Sequence, residues 1–406
     1  MAESGAHHPS HKAAGERYHS VALHKNDFAA TDAIFSEREV IATAFTAADK
    51  SDSVHPAETE PRAITGANTP DRREAEMDST RRTFMGMSAA AAAMVAGASS
   101  TVSAPVSSAK DKFWIAAVTP CDENYEFDPG AYREQLQWWK GQGADGILVL
   151  GTNGEGPSFS VAERKKIAEF AIKNKMGLDM IVTTGTPNFK ETIELSQHAA
   201  SIGADSLLIQ PPFYYKNPKP AGLLEYFRLV VDKVPNAQVR YYDIPQVTGV
   251  TINPAFVTAM AQQHPNFIGI KNSHGVAEEF EVLSTQTPKR LNIISGTDNN
   301  MLVALSHGNG VILGSGNVYT KLVANIFAAH RAGQDPKPAY DRLVQATNMM
   351  KANGYGSNYN AIKYALNLMM GTRRINIARP PHVPLTDEEM AQIRRGVAQL
   401  KEMSAA

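Results

Sequence analysis

A single cysteine, Cys121, occurs in 406 residues. One thiol excludes an intrachain disulfide and a cysteine-based metal site, and it leaves the redox compartment open. Excess charge of one sign is also missing: 40 basic against 41 acidic residues give a net charge of −1. This balance gives no support for nucleic-acid binding, which would want a basic face. Long apolar runs are absent too. The Ala-rich stretch at 87–98 is too short to span a bilayer. No Gly-rich dinucleotide fingerprint follows the first predicted strand, which argues against a Rossmann domain. What is present is ordinary for a soluble globular protein: 43% hydrophobic residues, in a chain long enough for one large domain or two smaller ones.

The first hundred residues differ from the rest. Six of the twelve histidines fall within the first 55 positions, and Leu23 is the only leucine in the first 110. No helical or strand periodicity is sustained there, so disorder is expected. Next comes "DSTRRTFMGMSAAAAAMVAGASSTVSAPVSSA", with Arg81 and Arg82, then Phe84, a weakly apolar run and small residues. This order resembles a twin-arginine export signal; a chance arginine pair before a short Ala-rich helix is the other reading. Candidate cleavage follows Ala98, Ala104 or Ala109, with Pro105 disfavouring the second. Translation is expected to start at Met77. Residues 1–76 would then be a disordered extension or a wrongly assigned start, and 77–109 the signal. The expected partner is the twin-arginine export machinery and the destination the periplasm or the exterior, with no membrane contact in the mature form.

From Phe113 onward, apolar runs alternate with amphipathic stretches, the pattern of repeated βα units. Strands are predicted at "FWIAAVT", "GILVLG", "DMIVTTG", "SLLIQP", "QVRYYDI", "FIGIK", "LNIISG" and "GVILGS". Helical patterns lie between them; one opens on Ser160 with Glu163 three positions on, the spacing of a capping box. Eight such units in about 200 residues predict a (β/α)8 TIM barrel over 110–332. Helical stretches near 318–332, 337–352, 359–370 and 386–402 predict the eighth barrel helix and a small C-terminal helical domain over 333–406.

Barrel active sites lie where strands end. Those ends read "GTNGEG", "PPFYYKN", "YYDIP", "GIKNS" and "SGTDNN". Lys271 stands out, because an apolar barrel disfavours the charged form of a lysine. The neutral amine is a nucleophile toward carbonyls and forms Schiff bases. Alternatively, its ammonium reaches solvent or pairs with a carboxylate such as Asp243. Tyr242 ends the neighbouring strand and suits acid–base work, or else is an amphipathic core tyrosine. The "GTNGEG" loop offers backbone N–H groups before a helix, suited to a carboxylate.

Taken together, these motifs resemble the dihydrodipicolinate synthase / N-acetylneuraminate lyase family of pyruvate-dependent class I aldolases, from about Phe113 to the C-terminus. Gly151, Thr152, Asn153, Gly154 and Glu155 match its G-[ST]-x-G-E loop. Tyr242, Asp243, Ile244 and Pro245 match Y-x-[VI]-P, and Gly269, Ile270 and Lys271 match G-x-K. The resemblance implies a Schiff base between Lys271 and a 2-oxo acid such as pyruvate, with Tyr242 as acid/base and Thr152 relaying protons to it. It also implies that a neighbouring subunit contributes Tyr214 to the relay. The Thr152 and Asn153 amides would hold the substrate carboxylate, and Ile312 would offer a backbone contact. No metal or organic cofactor is implied, because the imine is the electron sink. A homotetramer built from dimers is the implied assembly.

Some positions depart from the synthase pattern. Val247 stands where dihydrodipicolinate synthases carry an arginine for the second substrate's carboxylate, and losing a bidentate anchor weakens an acidic partner. Asn153 replaces a threonine, and Asn272–Ser273 replaces Glu-Ala. The expected reaction is cleavage of a 4-hydroxy-2-oxo acid to pyruvate and an aldehyde. The alternatives are 4-hydroxy-tetrahydrodipicolinate synthase, or a catalytically idle barrel that binds a 2-oxo acid or sugar acid. For the leader, N-terminal sequencing of the precursor is expected to begin at Met77; recovery of a peptide from residues 1–70 would overturn that start.

Overall fold

The computed structural model describes residues 111–356, 358–374 and 376–405; the expected extension and export signal lie outside them. Eight parallel strands close into a barrel in chain order: β1 (Phe113–Ala116), β2 (Gly146–Val149), β3 (Asp179–Thr183), β4 (Ser206–Ile209), β5 (Val239–Asp243), β6 (Phe267–Asn272), β7 (Asn292–Ser295) and β8 (Val311–Leu313). The predicted TIM barrel is therefore the fold. Its strands are buried on both faces, which is why they read as unbroken apolar runs rather than alternating ones.

The helices between the strands are α1 (Pro129–Gly141), α2 (Val161–Lys173), α3 (Phe189–Ser201), α4 (Pro220–Val231), α5 (Pro245–Thr248), α6 (Pro254–Gln263), α7 (Ala277–Gln286) and α8 (Met301–Ser306). Side-chain caps set where several of them begin. Asp128 accepts from the Ala131 amide, Asn188 from Lys190 and Glu191, and Asn253 from Phe256. Both halves of the capping box at α2 form: the Glu163 amide donates to Ser160 Oγ, and the Ser160 amide donates to the Glu163 carboxylate.

Next come α9 (Gly316–Arg331), α10 (Lys337–Ala352), α11 (Tyr359–Met370) and α12 (Asp387–Ala405). The first is the eighth barrel helix, and the last three form the predicted C-terminal group. Leu343, Met350, Leu366, Ile393 and Leu400 from that group join the same apolar core that surrounds the barrel. A smaller core fills the barrel itself, with Trp114, Leu148, Ile181, Leu208, Tyr242, Ile294 and Ile312 among its members. No helix among the described residues is long and apolar enough to cross a membrane.

One irregularity decides which side chains enter the barrel. On β5, Val239 and Tyr241 join the outer core while Tyr242 joins the inner one. On β6, Phe267 and Ile270 both face outward although they lie three positions apart. The parity changes because the β5–β6 register shifts by one residue, from Val239↔Phe267 to Arg240↔Gly269. A one-residue slip swaps every later side chain to the opposite face. Lys271 thereby pairs with Tyr242 and faces inward with it.

Gly269 makes the bulge possible. Its φ is +152°, and a Cβ there would lie 2.0 Å from the Asn292 carbonyl oxygen of the next strand. Replacing Gly269 with alanine is expected to destabilise the fold by more than about 1–3 kcal/mol, since both the conformation and the space exclude a side chain. Urea denaturation of the variant checks this; a midpoint unchanged from the parent would sink the account.

Candidate active site

Tyr242 and Lys271 form one rung of the β5–β6 ladder, each one residue before the end of its strand. Both are buried. Lys271 Nζ donates to the Tyr242 hydroxyl oxygen at 3.0 Å and sits 4.3 Å from the centre of that ring. The same hydroxyl lies 3.0 Å from Thr152 Oγ1, where either oxygen can donate. An amine, a phenol and an alcohol thus form a continuous hydrogen-bonded chain across three strand ends. A proton passed from one end can leave at the other.

Thr152 reaches this chain through a tightly wound loop after β2. Leu150 and Glu155 both hold positive φ, 58° and 52°. Between and after them, Gly154 and Gly156 lie so close to other backbone that a Cβ would be 2.9 Å from the Ala117 oxygen and 2.2 Å from the Leu150 oxygen. The loop is pinned from outside the barrel. The Glu155 carboxylate, fully buried, forms an ion pair with Lys363 of α11 at 2.6 Å and accepts from the Arg379 amide at 2.8 Å. Lys363 also donates to the Ile377 carbonyl at 2.7 Å. Two buried charges kept together in this way tie the loop to the C-terminal helices.

The remaining residues singled out in the sequence are placed differently. The Asn153 side chain packs against Gly314, just past β8, while Ile312 on β8 is fully buried within the barrel. Strand β1 lies between β2 and β8 in the closed sheet, so these residues border one sector of the mouth. Tyr214, in the loop after β4, is 74% exposed and stacks edge-on against Tyr215 with centres 5.3 Å apart. Within this chain it is not brought to Tyr242, whose partners are Lys271 and Thr152. Asp243 faces away from Lys271 and accepts from Asn272 Nδ2 at 2.7 Å.

A cavity of about 260 Å³ opens beside Thr152, bounded by Gln210, Phe213, Val247, Tyr359 and His382. Tyr359 and His382 escaped the sequence reading, because barrel logic looks only to βα loops and these residues follow the barrel. The two rings meet edge-on, 4.4 Å between centres. Burial, followed by the proximity of Tyr242 and Glu155, pushes the Tyr359 hydroxyl above the ordinary phenol range. Asp298, after β7, accepts from Ser315 Oγ at 2.5 Å, and burial pushes its carboxyl up. The strand end "SGTDNN" had pointed to that position, but not to its partner. No cluster of three or more metal-ligating side chains occurs among the described residues.

Burial also pushes the Asp243 carboxyl up to about 6, against a smaller opposing pull from the Asn272 hydrogen bond. A carboxyl raised above its unfolded value of 3.8 holds its proton in the folded state while the unfolded chain loses it. Its contribution to stability therefore falls as pH rises from about 4 to about 6, by up to roughly 3 kcal/mol. Asp243→Asn removes that titration. Relative to the variant, the parent is expected to lose stability over this window; parallel urea midpoints from pH 4 to 7 would refute the assignment.

Comparison with known proteins places this geometry. The family model described as the dihydrodipicolinate synthetase family matches residues 110–400. An uncharacterized DapA-like lyase of Chloroflexus aurantiacus is 36% identical over 280 residues, which cover 68% of this chain and 90% of that protein. The 4-hydroxy-tetrahydrodipicolinate synthase of Coxiella burnetii strain Dugway 5J108-111 is 31% identical over 298 residues, covering 70% and 96%. The structure of YagE from Escherichia coli K12, a protein of the dihydrodipicolinic acid synthase family in complex with pyruvate, aligns with a TM-score of 0.67 at 29% identity, covering 72% of this chain and 98% of that one. By sequence, barrel and matched length, this chain belongs to the dihydrodipicolinate synthetase family.

Proposed function

We propose that this protein is a lyase, a pyruvate-dependent class I aldolase that cleaves a 4-hydroxy-2-oxo acid to pyruvate and an aldehyde. The observation that carries this reading is the Lys271–Tyr242–Thr152 chain, with both links at 3.0 Å. In the proposed cycle, Lys271 Nζ attacks the C2 carbonyl, and Tyr242 gives the developing alkoxide a proton. Loss of water leaves an imine, which accepts the electron pair of the breaking C3–C4 bond. Tyr242, left as a phenolate once it has protonated the departing water, takes the 4-hydroxyl proton as the aldehyde forms, with Thr152 in the relay. That proton is then delivered to C3 of the enamine. Protonation of the enamine at C3 and hydrolysis then release pyruvate and restore the lysine. Since the imine is the electron sink, the proposal requires no metal or organic cofactor.

The amides of Thr152 and Asn153 and the backbone at Ile312 are proposed to hold the substrate carboxylate. Tyr214, exposed in the isolated chain, suits a relay completed by a neighbouring subunit, in a homotetramer built from dimers. Export through the twin-arginine pathway to the periplasm completes the proposal. The pyruvate complex of YagE and the lyase name of the Chloroflexus relative support the reaction class. The name of the Coxiella relative favours a second reading, 4-hydroxy-tetrahydrodipicolinate synthase. Val247, half exposed in the cavity wall, weighs against it, as an apolar side chain stands at the position where the resemblance places a synthase's arginine. An idle binding barrel would have no use for an aligned amine, phenol and alcohol.

Incubation with pyruvate and borohydride, followed by peptide mass spectrometry, tests the chemistry. A reduced pyruvate adduct on Lys271 is expected, together with its loss in Lys271→Ala and a fall in turnover of about 10²–10⁴-fold in Tyr242→Phe. An unmodified Lys271 in folded protein would end the Schiff-base proposal.

A further inference from the structure

Beyond the cavity that meets Thr152 lies a second one of about 540 Å³, and the two share Tyr359 and His382 as walls. Polar groups of Asn153, Asp298, Ser315, Tyr319, Tyr355 and Lys351 are set in its wall among apolar surface. Asp298 is engaged by Ser315 and feels the positive charge of Lys351. Lys351 itself, near the end of α10, is exposed at the cavity's edge, and its ammonium has no hydrogen-bond or ion-pair partner among the described residues. On the other side of the mouth, Val247 supplies no charge. Lys216, beside Val247, is engaged by the Val247 and Thr248 carbonyls at 3.1 Å, so the lysine that this second cavity offers to a substrate's far end is Lys351, from a C-terminal helix.

Resting on the aldolase reading, we infer that the aldehyde half of the substrate carries a terminal anion, carboxylate or phosphate, and that Lys351 is the specificity residue that holds it. The aldehyde carbon emerges at Lys271, its chain passes the Tyr359–His382 edge, and the anion meets the Lys351 ammonium. Hydroxyl groups along the chain find acceptors and donors at Asp298, Ser315 and Asn153. A room of this size with these polar groups in its wall suits a hydroxylated chain of several carbons, whereas a short apolar aldehyde would leave the groups unpaired. A charge-assisted contact at a cavity edge is worth roughly ten-fold or more in apparent affinity.

Condensation of pyruvate with three aldehydes tests this: glyceraldehyde as the neutral probe, succinic semialdehyde as the carboxylate and glyceraldehyde 3-phosphate as the phosphate. In Lys351→Gln, KM for at least one anionic aldehyde should rise about ten-fold or more with kcat little changed. KM for glyceraldehyde should stay as in the parent, and Lys351→Arg should restore the anionic substrate. The anionic probe that responds identifies the terminal group. Equal KM changes for all three aldehydes, or none, would overturn the inference while the borohydride adduct on Lys271 persists. Failure of that adduct in the parent would instead overturn the aldolase reading, and this inference with it.

Discussion

The hydrogen bond between Lys271 Nζ and the Tyr242 hydroxyl is the contact around which this structure is arranged. It brings an amine into a barrel interior that otherwise holds Leu148, Ile181, Leu208, Ile294 and Ile312. Burying such a group is costly unless it is hydrogen-bonded, and the phenol meets that need without supplying a counter-charge that would tie up the amine. The rung exists only because β6 changes parity at its bulge, and the bulge exists because Gly269 accepts a φ and a backbone approach closed to other residues. A backbone irregularity two residues away thus aims the Lys271 amine at the Tyr242 hydroxyl.

The third member of the chain depends on parts of the molecule outside the barrel. Thr152 sits on a loop held in left-handed conformations at both ends, and such conformations persist where the surroundings over-determine them. Here the Glu155–Lys363 pair and the Arg379 amide do so. The C-terminal helices and the link between the last two of them therefore both brace the Thr152 loop and wall the neighbouring cavity through Tyr359 and His382. That arrangement explains why their apolar residues are continuous with the barrel core rather than packed apart from it.

Much of this was legible in the residues. Unbroken apolar strands alternating with capped amphipathic helices pointed to a closed parallel barrel, and the strand-end rule brought Lys271, Tyr242 and Thr152 into view. The helices after the barrel were anticipated within a few residues, as at α10 and α11. Less visible were contacts between distant segments: Glu155 with Lys363, Tyr359 with His382, Asp298 with Ser315. No periodicity encodes such meetings, because each depends on how the C-terminal helices and the loops after β2, β7 and β8 come together over one mouth.

By itself, then, the sequence determined the barrel and the residue types of its site, because local propensity and strand-end position are written in the order of side chains. It left open whether Lys271 reaches for solvent, pairs with Asp243 or turns inward. Only the tertiary structure decided that, since the answer lies in the register of β5 against β6. Parity along a strand can be counted from sequence, but the residue at which a bulge reverses it is set by close packing of one backbone against the next.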